Sequence, residues 1–234
     1  MELKTEYQAM KTSEAAPILY SFRRCPYAMR ARLALTSSEL NVELREIILR
    51  DKPAHMVEVS PKATVPVMIL PDGTVIDESL DVMIHALRLN DPEHLLEAEN
   101  ASFDEMLSLI KTFDGPFKTA LDRYKYANRH ENVDVDEERE KASVYLMELE
   151  ALLAKGNEYL FGNRISLADL AIFPFVRQFA NVDKDWFDNQ TWPLLVKALD
   201  KFVSSERFLN IMTKYPQWRE GDDVTYFGTH EMAD

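Results

Sequence analysis

The sequence predicts two structural layers of different class: a small mixed α/β sheet domain over the first 90 residues, then an all-α helical bundle. Three observations predict it. The hydrophobic period changes near residue 90, from short β-branched or aromatic runs to apolar residues at three- and four-residue spacing. The chain of 234 residues exceeds one typical domain and can bury a sizeable core. Asn90-Asp91-Pro92 falls between the two patterns, and proline disfavours helix in the residue before it. The expected boundaries are a first domain over 15–90, a linker over 91–98 and a helical domain over 99–220.

Pro17 to Phe22, Val42 to Leu49 and Val65 to Leu70 read as strands, being brief, β-branched or aromatic, and bounded by turn signals. Val75 to Glu78 makes a fourth. The link Pro71-Asp72-Gly73-Thr74 joins a proline of fixed φ to a glycine free to take positive φ, which is hairpin chemistry, so strands three and four are expected as antiparallel neighbours. Pro26 to Thr36 and Ser79 to Leu89 carry helical spacing, and a short irregular segment is expected between strands two and three. Downstream, Leu95 to Tyr126, Asp136 to Leu153, Ser166 to Ala180 and Trp192 to Met212 read as helices, the first broken or kinked at Gly115-Pro116. The acidic run from Asp134 to Glu140 reads as a solvated helix start, because carboxylates in a first turn oppose the helix dipole favourably. The polar ends, Met1 to Ala16 and Gly221 to Asp234, are expected to be loosely held.

A net charge of −13 repels nucleic acid phosphates and anionic lipid surfaces, so neither partner is expected. No apolar run approaches membrane-spanning length, no charged, apolar, small-residue signal stands at the start, and a single cysteine forms no internal disulfide. A cytoplasmic protein is the expectation. His55, His85, His94, His130 and His230 are scattered, without HExxH spacing or a second cysteine, which leaves no expected metal site. There is no Walker loop and no GxGxxG, and six glycines supply little for a phosphate cradle.

Cys25 is the one residue of the stretch SFRRCPYAMR whose chemistry needs deciding. Free cysteines are most often buried as small hydrophobes. Here the cysteine follows a predicted strand and precedes Pro26, a residue favoured at the first helical position because its missing N–H would be unpaired there. Cys25 is therefore predicted at a helix N-cap, where free N–H groups, the dipole, and nearby Arg23 and Arg24 favour thiolate over thiol. Thiols in such settings have pKa values lowered to roughly 3.5–7.5 from about 8.5. Position 28 is Ala28 where a CxxC pair would place a second sulfur, so a mixed disulfide on Cys25 needs a thiol from outside.

Val65-Pro66 opens a strand, where proline's missing donor is tolerated. With a cis bond, the backbone of Val65 faces outward and can add an extended peptide to the sheet edge. Glu78-Ser79 joins the fourth strand to its helix with Ser79 as expected N-cap. The hydroxyl and helix N–H groups suit a carboxylate, and Glu78 suits an ammonium. Together the pair fits an amino acid head group.

At these residues the chain resembles the cytosolic glutathione transferase superfamily, whose fold pairs a thioredoxin-like N-terminal domain with an all-helical C-terminal domain. It is most similar to cysteine-type members such as the omega class, through RCPYAMRARLAL, KATVPVMILPDGTVIDES and the segment Ile165 to Leu170. The resemblance implies catalytic Cys25 and glutathione binding by Lys52, Val65, Pro66, Glu78 and Ser79, with Lys52 meeting the glycyl carboxylate. It implies a homodimer and a second substrate placed by the helical domain, for which Phe113, Phe117, Tyr124, Arg177 and Trp218 are candidates beside their reading as core aromatics and surface charge. Lys62-Ala63-Thr64 departs from the small or glycine-containing lead-in of the family, and Asp81 adds a carboxylate after Ser79.

Ser166 with Asp169 three residues on reads as a capping box, a folding element with no part in the chemistry. The activity implied is glutathione-dependent thiol transfer or dehydroascorbate reduction. The alternatives are conjugation of glutathione to carbon electrophiles and a non-catalytic binding or regulatory module. The intact set of Cys25, Val65-Pro66 and Glu78-Ser79 argues against the module.

Overall fold

The computed structural model describes residues 16–129 and 132–228. Met1 to Ala15, two of the positions in the Ala127–Val133 stretch, and the last six residues lie outside the described residues, and with them most of the expected loose ends. Contacts divide the chain into one unit ending at Glu93 and resuming at Glu206, and a second from His94 to Ser205.

In the first unit, β1 (Ile18–Ser21) leads through α1 (Pro26–Ser37) to β2 (Val42–Glu46), then α2 (Ala54–Val59), β3 (Val67–Ile69), β4 (Val75–Ile76) and α3 (Ser79–Leu89). A last strand, β5 (Tyr226–Phe227), completes a sheet of order β4-β3-β1-β2-β5. β1 and β2 are parallel, joined by the crossover helix α1. The predicted hairpin is present, with β3 antiparallel to both β1 and β4; Tyr20 faces Val67 and Met68 faces Ile76 in register. Gly73 takes φ 87° in the turn, the freedom the sequence assigned to it.

Two features differ from expectation. The segment between β2 and β3 contains α2, a helix of six residues anchored by the buried Met56. The segment from 221, expected to be loose, is tied to the sheet as far as described: Leu44 N–H donates to the Thr225 carbonyl (2.7 Å) and β5 pairs with β2. Gly228 follows at φ 147°, where a Cβ would strike the Leu40 carbonyl. The second contact unit ends at Ser205; the helix that follows, α10 (Glu206–Ile211), packs on α1, and Trp218 N–H donates to the Glu46 carbonyl (2.8 Å). Arg207 adds an ion pair to Glu93 and a bond to Ser37.

The described elements of the second unit include the helices α4 (Phe103–Thr112), α5 (Lys118–Lys125), α6 (Val135–Leu153), α7 (Leu167–Ala180), α8 (Lys184–Asp188) and α9 (Pro193–Ser204), with no strand among them. The predicted Leu95–Tyr126 helix begins only at the Ser102 capping box, where Ser102 N–H donates to Glu105 (2.7 Å) and Glu105 N–H to Ser102 Oγ (3.3 Å). Gly115-Pro116 falls within a π-helical turn, Phe113–Phe117, that joins α4 to α5 without ending the helical path. The acidic start of α6 is capped by Asp134, which accepts from Asp136 N–H and Glu137 N–H, but Glu138 of the same run is buried against Arg123 and Lys141. Trp192 to Met212 divides at Ser205 into α9 and α10, and α8, started by Asp183 accepting from Trp186 N–H, was not legible in the pattern.

Candidate functional site

Cys25 occupies the N-cap of α1, with extended backbone angles (φ −79°, ψ 123°), Pro26 in the first turn and no acidic residue there. Its position is fixed by Cys25 N–H donating to the Phe22 carbonyl and by its own carbonyl accepting from Met29 N–H, both at 2.9 Å. The thiol stands at the N-terminal end of a twelve-residue helix, makes no side-chain cap bond to it, and is neither fully buried nor fully exposed. Of the two arginines before it, Arg23 sends its guanidinium to the Met212 carbonyl (3.2 Å), and the exposed Arg24 lies over the Phe22 ring at 5.5 Å.

Across the site, Val65-Pro66 is cis, and the Cys25 thiol donates to the Val65 carbonyl with sulfur 3.8 Å away. The predicted thiol and the predicted peptide-capturing strand end are thereby brought together. Both belong to one apolar cluster, in which Cys25 and Phe22 pack against Tyr20, Ala28, Ile47, Met56, Val65 and Val67. Ala28 is fully buried, so the position of a CxxC partner is packing.

Glu78 takes the N-cap of α3 in place of Ser79, with extended φ/ψ and no side-chain bond to the helix. Ser79 is the first helical residue, buried, and its hydroxyl accepts from Arg30 Nε at 2.9 Å. The Glu78 carboxylate instead meets Lys62 Nζ at 2.5 Å, and Lys62 also reaches Asp77 at 3.3 Å. Asp77 accepts from Ser60 Oγ at 2.8 Å; that bond, opposed by partial burial and aided by Lys62, holds its carboxyl below the usual carboxylate range. Arg30 and Lys62 were not singled out for these roles. Arg30's signal was a charge on the apolar pattern of α1, which requires a buried partner.

Lys52 is exposed on the turn before α2. It lines a cleft of about 680 Å³ together with Arg45, His55 and Trp218, and that lining includes none of Cys25, Val65, Pro66, Glu78 or Ser79. Trp218 belongs to the sheet unit, outside the helical region it was assigned to. It meets Tyr20 edge-on at 5.9 Å and stacks on Arg45 at 4.4 Å, because the chain after α10 returns to β2. Arg45 in turn donates to Tyr20 Oη (2.7 Å), which also bonds His55 Nδ1 (2.8 Å). Phe113, Phe117 and Tyr124 are buried in the helical unit, with Phe117 6.0 Å and Tyr124 5.2 Å from the Phe179 ring centroid. Their rings are core. Arg177 is half-buried near the end of α7.

Among the described residues no cluster of three or more His, Cys, Asp or Glu side chains is arranged to hold a metal ion, and no helix is long and apolar enough to cross a membrane.

Two family models match the chain: glutathione S-transferase, N-terminal domain, over residues 19–94, and glutathione S-transferase, C-terminal domain, over residues 133–220. Among curated relatives, glutathione S-transferase omega-1 of Rattus norvegicus is 26% identical over 166 residues, covering 68% of this chain and 66% of the relative. Glutathione S-transferase DHAR2 of Arabidopsis thaliana is 30% identical over 154 residues, covering 64% of each. The matches thus span just under two thirds of these relatives' length. Among solved structures, a glutathione transferase family member from Pseudomonas fluorescens, with two glutathione bound, superposes with a TM-score of 0.71 at 22% identity over 88% of this chain and 97% of that one. A glutathione transferase from Pseudomonas putida, with one glutathione disulfide bound per subunit, gives 0.73 at 16% identity over 91% and 97%. These two likenesses establish the fold: a thioredoxin-like sheet domain and a helical domain.

Proposed function

Since the chain belongs to the glutathione S-transferase family, with both of its domains matched, we propose that it is a glutathione-dependent thiol transferase with Cys25 as its nucleophile. The observation that carries the reading is the Cys25 thiol at the N-cap of α1, 3.8 Å from the Val65 carbonyl. In this reading the backbone of Val65 pairs with the extended cysteinyl part of glutathione, the start of α3 at Ser79 receives the γ-glutamyl carboxylate, Glu78 receives the ammonium, and Lys52 meets the glycyl carboxylate.

The reaction follows from one sulfur. Cys25 thiolate attacks the glutathione sulfur of a mixed disulfide; the Cys25–glutathione S–S bond forms, the S–S bond between the substrate sulfur and glutathione breaks, and the substrate leaves as thiolate and takes a proton. A second glutathione thiolate then attacks the bound glutathione sulfur, Cys25 leaves as thiolate, and glutathione disulfide departs. Because position 28 is a buried alanine, no intramolecular thiol short-circuits the cycle. Reduction of dehydroascorbate uses the same oxidised and reduced forms of glutathione. A cysteine suits conjugation to carbon poorly, since it forms a disulfide with the thiol it would activate.

The test is a paired assay of wild type and Cys25→Ala, with a cysteine–glutathione mixed disulfide in one arm and an aromatic halide in the other. Thiol transfer requires disulfide reduction by the wild type and its loss in the variant. Rapid aromatic conjugation by the wild type with negligible disulfide reduction would overturn it. Partner copies, expected as a homodimer, are counted by sedimentation in the same preparation.

A further inference from the structure

The segment that precedes Val65 carries a lysine whose ammonium lies against the residue assigned to the head group of glutathione. Lys62 Nζ is 2.5 Å from Glu78 Oε1 and 3.3 Å from Asp77 Oδ1. The stem of Lys62 starts from a turn held at both ends. Ala63 N–H donates to the Ser60 carbonyl at 2.8 Å, and Ser60 Oγ donates to Asp77 Oδ2 at 2.8 Å. Glu78 makes no side-chain bond to the helix it caps, so its carboxylate is directed to Lys62.

We propose that Lys62 is a specificity-determining residue: an internal cation that occupies Glu78 and is displaced by the ammonium of an incoming γ-glutamyl peptide. The inference rests on the glutathione reading above. A ligand ammonium on Glu78 and Lys62 Nζ are like charges competing for one carboxylate, and both cannot keep short bonds to it without repulsion. The lysine and glutamate side chains are 53% and 64% exposed, so the pair is weak enough to open. Lys62 therefore lowers affinity for ligands that bear an ammonium at this position and leaves those without one untouched. The site discriminates less between glutathione and its deaminated analogue than Glu78 alone would.

The experiment is calorimetric titration of wild type, Lys62→Met and Lys62→Arg with glutathione and with deaminated glutathione, each protein first checked for an unchanged melting curve. Competition requires that Lys62→Met bind glutathione about two- to five-fold more tightly, the range an exposed ion pair supplies. It also requires that affinity for the deaminated ligand be unchanged in that variant and that Lys62→Arg behave as wild type. Equal or weaker glutathione binding by Lys62→Met, or equal tightening toward both ligands, overturns the proposal. Absence of glutathione binding by all three proteins instead overturns the proposed function on which it rests, a result separable from the first by the wild-type titration alone.

Discussion

Arg30 Nε donates to Ser79 Oγ at 2.9 Å, joining the helix capped by Cys25 to the helix capped by Glu78, with both partners buried. The bond explains why Ser79 is not simply a cap. Its hydroxyl fixes the start of α3 against α1, and so the place of Glu78 and Ser79, proposed to hold the head group, relative to the thiol. Ser79→Ala removes an acceptor from a buried guanidinium, a loss of about 1–3 kcal/mol. At about 2–4 °C per kcal/mol for a chain of this size, the melting temperature should fall by several degrees, while Ser79→Thr keeps most of it. In the proposed activity the glutathione KM should rise in Ser79→Ala. An unchanged melting curve would show that Arg30 is satisfied without Ser79.

What could be read from the residues alone depended on whether the signal was local. The N-cap position of Cys25 was legible because Pro26 marks a first helical turn, and the β3–β4 hairpin because Pro71 to Thr74 encodes its own turn. The cap of α3 was misplaced by one residue, since glutamate is an unusual N-cap and serine a common one. Non-local features were invisible. Strand β5 has two residues and exists through pairing with β2; Trp218 looked like a helical-domain aromatic until the chain was seen to return to the sheet. Lys62 stood out only as a departure from a family pattern, because its partner Glu78 is sixteen positions away in sequence.

Ala63 holds φ 51°, a left-handed conformation in which its Cβ crowds the following carbonyl. Glycine adopts it freely, so Ala63→Gly relieves strain of about 1 kcal/mol, offset in part by the greater entropy of the unfolded glycine chain. The expected net is a gain of about 0.5 kcal/mol, visible as a melting temperature raised by one or two degrees. A lowered melting temperature would mean that the unfolded-chain entropy outweighs the strain.

Asp169 is buried at the start of α7, where its carboxyl accepts from Leu160 N–H (2.9 Å), Ser166 Oγ (2.7 Å) and Ser166 N–H (2.9 Å). Burial pushes its pKa above the ordinary carboxylate range, and the three donors oppose that push without overcoming it. A folded-state pKa above the unfolded value means that the native protein holds the proton more tightly. The associated stability is fully present below the unfolded value and is lost as pH rises through the folded one. Asp169→Asn removes this titration and leaves one donor poorly matched, a loss of about 1–3 kcal/mol. The gap between wild type and variant in denaturant titrations should be widest at acid pH and narrow toward neutrality. A gap that widens with rising pH would contradict the assignment.

Arg32 and Glu46 form the ion pair on which the loop before Cys25 depends. The Arg32 side chain is wholly buried; it bonds Glu46, donates from Nε to Ser21 Oγ (2.8 Å), and reaches the Ile211 carbonyl (3.2 Å). Burial lowers its pKa and Glu46 offsets that only in part, yet an arginine stays charged at any pH the fold survives. The second oxygen of Glu46 accepts from Arg23 N–H at 2.7 Å, which pins the backbone two residues before the thiol. Glu46→Gln leaves the guanidinium buried without its counter-charge and should cost about 3–5 kcal/mol, measured by denaturant unfolding. Replacing both members, Arg32→Met with Glu46→Leu, removes the charge that needs compensation and should restore most of that stability. It does not restore an acceptor for Arg23 N–H. The double variant should therefore be stable and still slow in the thiol-transfer assay, with kcat reduced more than KM. If activity returned together with stability, Glu46 would act on Cys25 only by keeping the sheet domain folded.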